Sequence, residues 1–137
     1  MTSILNPYLN FDHKTRAAME FYQSVFGGDL NIMTFGDMGD ASDNKDGVMH
    51  AQLTTGDGFT LMASDMPPGQ EYQPGNNFGV SLSGDDEAQL TGWWDALAEG
   101  GTVMVPLEKQ AWGDAFGMFL DRFGTTWLVN IAGQPAS

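Results

Sequence analysis

The 137 residues contain no cysteine, which excludes disulfides, thiolate metal ligands and a cysteine nucleophile. Basic residues are almost as scarce. Three lysines (Lys14, Lys45, Lys109) and two arginines (Arg16, Arg122) stand against 18 acidic residues, for a net charge of −13. Five scattered cations cannot build the basic face that binding through counterion release requires, so neither nucleic acid nor an anionic membrane is expected as a partner. No apolar run approaches the ~20 residues of a membrane span. The opening stretch MTSILNPYLNF lacks the basic segment and long apolar core of a secretion signal, so a cytoplasmic protein is expected. A Gly-x-Ser-x-Gly elbow, a P-loop and a Gly-x-Gly-x-x-Gly turn are all missing, which argues against a serine hydrolase and a nucleotide cofactor.

What is present is a weak internal repeat, with 42% apolar residues to supply a core. The strand-like NPYLNF (6–11) is followed by the helical TRAAMEFYQSVF, with Ala18, Phe21, Tyr22, Val25 and Phe26 at helical spacing and a stop at Gly27-Gly28. The second half repeats this plan. NFGVSLS (77–83) precedes an N-cap at Asp85-Asp86, and a helix carrying Leu90, Trp93, Trp94 and Leu97 stops at Gly100-Gly101. Each half then ends in a hairpin, MHAQLTTGDGFTLMAS (49–64) and FGMFLDRFGTTWLVNI (116–131). The expected fold is α+β, a single domain over 1–137 made of two tandem βαβββ modules that form a cup-shaped mixed or antiparallel sheet. Module 1 spans 1–66, the Pro- and Gly-rich linker 67–76 and module 2 77–137. The acidic loop GDMGDASDNKDG (36–47) lacks the twelfth-position carboxylate and flanking helices of a calcium loop, so it reads as a solvated loop.

Alternation separates a core face from a cup face in each strand. Trp127, Val129 and Ile131 should meet the helix, with Thr126, Leu128 and Asn130 opposite. Phe78, Val80 and Leu82 oppose Asn77, Gly79 and Ser81. Met49, Ala51 and Leu53 oppose His50, Gln52 and Thr54. Phe59, Leu61 and Ala63 oppose Thr60, Met62 and Ser64. Polar faces with small and apolar members suit a partly buried pocket.

The paired modules, together with AMEFYQSVFGGDL, MHAQL, TLMASDMPPG, QAWGDAFG and DRFGTTWLVNI, resemble PhnB-like proteins of the glyoxalase, bleomycin-resistance and dioxygenase (vicinal oxygen chelate) superfamily over nearly the whole chain. The resemblance implies a small α+β fold, a homodimer, and cups that in the superfamily's metalloenzymes hold a divalent metal on His, Glu or Gln of the modules' first and last strands. Those positions fall here on Pro7, Met62, Asn77 and Leu128. Proline and leucine cannot ligate through a side chain, Asn77 is a weak donor, and the thioether of Met62 suits copper(I) rather than magnesium, manganese, iron or zinc. No metal ligand set and no cofactor are therefore expected, although a divalent ion at a nonstandard place stays open.

His50 is the one candidate acid or base, mid-strand beside Gln52. His13, the other histidine, lies near the helix start and reads as exposed. Phe35, Gln52, Met62, Asn77, Trp112, Met118 and Leu128 are the candidate ligand-binding residues, with Phe119 as a further wall. Two readings of different class remain open. One is a protein that binds a small apolar or cationic molecule without the usual metal. The other is a glyoxalase-like enzyme acting on a small metabolite through His50.

Overall fold

The computed structural model describes residues 3–39, 45–66, 71–73, 75 and 77–133. The chain divides into two compact units, Met1–Gln73 and Pro74–Ser137. Most of the expected linker lies outside the described residues, as does the middle of the acidic loop.

In the first unit, β1 (Tyr8–Phe11) leads into α1 (Thr15–Phe26), β2 (Asp29–Thr34), a 3-10 turn (Gly36–Met38), β3 (Val48–Thr54) and β4 (Thr60–Asp65). The four strands form one sheet in the order β1-β4-β3-β2. β1 runs parallel to β4 and the other pairs are antiparallel. α1 covers one face because Thr15, Ala18, Met19 and Tyr22 recur at i, i+3, i+4 and i+7 and are all buried. That stripe differs from the one expected: Phe21, Val25 and Phe26 are only half-buried, and Met19 takes their place in the core. The helix has no side-chain cap from Lys14. The buried carboxylate of Asp65 at the end of β4 does that work instead. Its Oδ1 accepts Thr15 N–H at 3.1 Å and Thr15 Oγ1–H at 2.7 Å, while Oδ2 accepts Val48 N–H at 2.8 Å. One side chain thus fastens the helix start to two strands.

The second unit repeats the plan with β5 (Val80–Gly84), α2 (Glu87–Ala98), β6 (Thr102–Lys109), β7 (Ala115–Leu120) and β8 (Thr126–Ile131). Its sheet order is β5-β8-β7-β6, with β5 parallel to β8. Asp86 caps α2 by accepting Gln89 N–H at 3.0 Å. Leu90, Trp94 and Leu97 are the buried stripe, and Trp94 meets Phe119 edge-on at 4.9 Å. The architecture is α+β, two mixed four-stranded sheets each with one helix.

The two hairpins close with the same five-residue device. In Thr55–Phe59 and in Asp121–Thr125 the first residue's N–H bonds the fifth carbonyl, at 3.0 and 2.9 Å. The fourth residue of each is a glycine with positive φ, Gly58 at 89° and Gly124 at 89°. The double glycines that end the helices have a packing reason. A Cβ on Gly28 would strike the Thr54 carbonyl and one on Gly101 the Leu120 carbonyl, so each chain crosses directly against a β-strand end.

Two face assignments need correction. Val48 is buried in place of Met49, because the register between β2 and β3 slips after Met33↔His50 to Thr34↔Val48. The extra residue in β3 is a bulge, which resets the alternation. Phe78 was expected to meet the helix but is 66% exposed, since β5 begins only at Val80.

Candidate functional site

Residues paired in register stand side by side on one face of a sheet. In the first unit the face away from α1 therefore carries Tyr8 of β1 beside Met62 of β4, Met62 beside Gln52 of β3, Gln52 beside Asn31 of β2, and His50 beside Met33. Three of the expected residues, His50, Gln52 and Met62, come together here, all half-buried. Phe35, also half-buried, follows the end of β2 and opens the 3-10 turn. Tyr8 reaches across β4 to His50, with 3.2 Å between its Oη and the imidazole Nδ1 and 5.8 Å between the ring centroids. Ser64 Oγ donates to Asn10 Oδ1 at 3.2 Å on the same face.

In the second unit, Leu128 of β8 stands between Ser81 of β5 and Met118 of β7. Both candidates, Leu128 and Met118, are half-buried on the face away from α2. Leu128 also lies over Gly79, where an added Cβ would collide with its Cδ1. Phe116 pairs with Asn130 on this face, and the exposed Trp112 ring lies 6.5 Å from Phe116. Asn77 is exposed, precedes β5 and joins neither face. Phe119 belongs to the core: it is fully buried on the opposite face against Trp94.

Register also revises which residues occupy the positions the resemblance pointed to. Pro7 precedes β1 and gives only its carbonyl to Met62 N–H at 3.1 Å, so Tyr8 is the β1 side chain beside Met62. Ser81, not Asn77, is the β5 side chain beside Leu128. The adjacent pairs are thus Tyr8–Met62 and Ser81–Leu128, which contain no imidazole or carboxylate. Among the described residues no group of three or more His, Asp or Glu side chains gathers as a metal centre. His13 is exposed and faces Asp12 at 3.5 Å.

Tyr8 and Met33 are the functional candidates that sequence reasoning missed. DLNIMT does alternate Leu30 and Ile32 against Asn31 and Met33, a period-two signal that would have identified β2. The Tyr8 contact had no sequence signal, because Tyr8 and His50 are 42 residues apart.

A different concavity, about 250 Å³, lies in the second unit among Asp85, Glu87, Lys109, Ala115 and Ile131. Ala115 pairs with Ile131 on the α2 side of the sheet, so none of the candidate residues lines it. Nearby, Asp114 accepts Asn130 Nδ2–H at 3.0 Å and Gly133 N–H at 2.8 Å. These bonds, Asn130 first, hold its carboxyl below the ordinary 3.8, with a further contribution from the Trp112 indole.

The sequence profile of the glyoxalase/bleomycin resistance protein/dioxygenase superfamily matches residues 4–129. Protein YjdN of Escherichia coli is 27% identical over 95% of this chain and 96% of its own length. The crystal structure of protein PA1353 from Pseudomonas aeruginosa is 40% identical, covers 97% of this chain and 100% of that one, and superposes with a TM-score of 0.87. A Bacillus cereus PhnB protein, described as a putative 3-demethylubiquinone-9 3-methyltransferase, shares the fold at 22% identity and a TM-score of 0.77, over 95% of this chain and 100% of its own. The chain belongs to the glyoxalase/bleomycin resistance protein/dioxygenase superfamily.

Proposed function

We propose that this protein is a cytoplasmic, homodimeric binding protein that holds a small apolar or cationic molecule against its open sheet faces without the superfamily's divalent-metal centre. The observation that carries this reading is the pair of neighbours Tyr8–Met62 and Ser81–Leu128. They offer a phenol, a thioether, a hydroxyl and an alkyl chain where hard metal ions require carboxylate or imidazole. Thioether and aromatic surfaces hold flat or irregular apolar bodies by contact area. A net charge of −13 draws cations toward the surface and repels anions.

A thermal-shift screen of the full chain, comparing aromatic cations and neutral apolar compounds with matched anions, tests this. A saturating ligand at about 100 times its Kd stabilises by about 2.7 kcal/mol. Stabilisation by members of the first two classes, weakened in Met62→Asp, supports the reading. Stoichiometric zinc, manganese or nickel retained on purification overturns it. Light scattering on the eluting protein tests the dimer.

The contact between Tyr8 and His50 favours a second reading, an enzyme in which His50 exchanges a proton with a small metabolite. Loss of a turnover in His50→Ala, found by metabolite screening, would establish it in place of binding alone.

A further inference from the structure

We propose that Met33, His50 and Met62 form a soft-metal site for a monovalent ion, copper(I), on the open face of the first sheet. Only Met62 stands at a position the superfamily resemblance pointed to for divalent metals; Met33 and His50 lie elsewhere on the face, and the proposal does not rest on the small-molecule reading.

Three observations carry it. Met33 and His50 are direct partners across the β2–β3 ladder, which sets their Cβ atoms about 4.5–5.5 Å apart. Met62, on β4, is the partner of Gln52 and so stands diagonal to His50 on the other side of β3 from Met33, about 7–8 Å from His50, a span that long side chains bridge. All three are open to solvent in part, Met33 at 40%. The donors are therefore two thioethers and an imidazole, without a carboxylate among them.

That donor chemistry selects the ion. Thioether sulfur is a soft ligand suited to copper(I), whereas magnesium, calcium and manganese prefer carboxylate and carbonyl oxygen. Tyr8 supplies the orientation. The site uses the tautomer in which Nδ1–H donates to the Tyr8 Oη 3.2 Å away, which leaves the lone pair on Nε2. Ligating histidines are held in this way by a partner on the other ring nitrogen. Tyr8 is thus a positioning residue, and Met33, His50 and Met62 are the ligands. The acidity of the chain raises the local concentration of any cation.

The test is an anaerobic titration of the full chain with copper(I) against the chromophoric chelator bicinchoninate. The expected result is one ion taken per chain, lost in His50→Ala and in Met33→Leu or Met62→Leu. Met38→Leu should bind normally, since Met38 is exposed in the 3-10 turn and belongs to no strand of the sheet. Tyr8→Phe should weaken binding about tenfold, as loss of an orienting partner does. X-ray absorption should show both sulfur and nitrogen in the metal's first shell. In methyl NMR with silver(I) as the probe, only Met33 and Met62 of the nine methionines should shift; this readout needs no variant to fold. Failure to compete with the chelator overturns the proposal. So does unchanged uptake in His50→Ala, an equal loss in Met38→Leu, or zinc(II) held as tightly through the same residues.

Discussion

Leu128 is a packing residue in a place where the superfamily resemblance led one to look for a ligand. It is held between Ser81 and Met118 and covers Gly79. None of these neighbours supplies a carboxylate or imidazole, so Leu128→Glu should fold yet gain no tight manganese or zinc, as metal analysis after dialysis will show. The stability of the first unit depends more sharply on Asp65. It is 5% exposed and receives Thr15 N–H, Thr15 Oγ1–H and Val48 N–H. Asp65→Ala leaves those donors buried without an acceptor and should cost about 3 kcal/mol in urea unfolding. Asp57→Ala, in the exposed β3–β4 turn, should change stability by no more than about 0.5 kcal/mol.

At the scale of elements, glycines with different surroundings have opposite predicted effects. Gly92 lies within α2 with nothing within 4 Å of a built Cβ. Gly92→Ala should therefore stabilise by about 0.5–1 kcal/mol, by removing the flexibility that glycine brings to a helix. Gly101→Ala drives a methyl into the Leu120 carbonyl and the Asp121 backbone, and should cost about 2 kcal/mol or more. Both are read from calorimetric melts. The β7–β8 ends carry a pH signature. Asn130 and Gly133 hold Asp114 below 3.8 in the folded state. A depressed carboxyl stabilises the fold above its unfolded value and loses that effect as pH falls through the folded value. The stability difference between wild type and Asp114→Ala should hold steady near neutrality and shrink below about pH 4, measured by denaturation across pH.

For the whole molecule, charge outweighs any single pair. A chain at −13 repels itself when folded. Raising ionic strength from 0.01 to 0.15 M shortens the Debye length from about 30 to about 8 Å, so Tm should rise over that range. A fall would show that local attractions, not net repulsion, dominate the surface electrostatics. The repeat gives the two units equal architecture but unequal chemistry. The open face of the first carries phenol, imidazole and thioethers, that of the second hydroxyls, an amide, Leu128 and Met118. No helix among the described residues is long and apolar enough to cross a membrane.

Much of this was already written in the sequence. Period and punctuation determined α1, whose limits at Thr15 and Phe26 follow from its apolar spacing and the double glycine, and both hairpins, whose turns need glycine at one position. They also determined that Trp127, Val129 and Ile131 face a helix, because alternation along a regular strand is a local property. Tertiary structure alone decided the rest. A bulge in β3 moved Val48 into the core and Met49 out of it. The parallel pairings of β1 with β4 and β5 with β8 put Tyr8 beside Met62 and Ser81 beside Leu128, where the superfamily resemblance had pointed to Pro7 and Asn77. Asp65 became a helix cap from 50 residues away. Register between distant strands is set by the packing of whole faces, so which side chains meet at the candidate site was legible only once the sheets had formed.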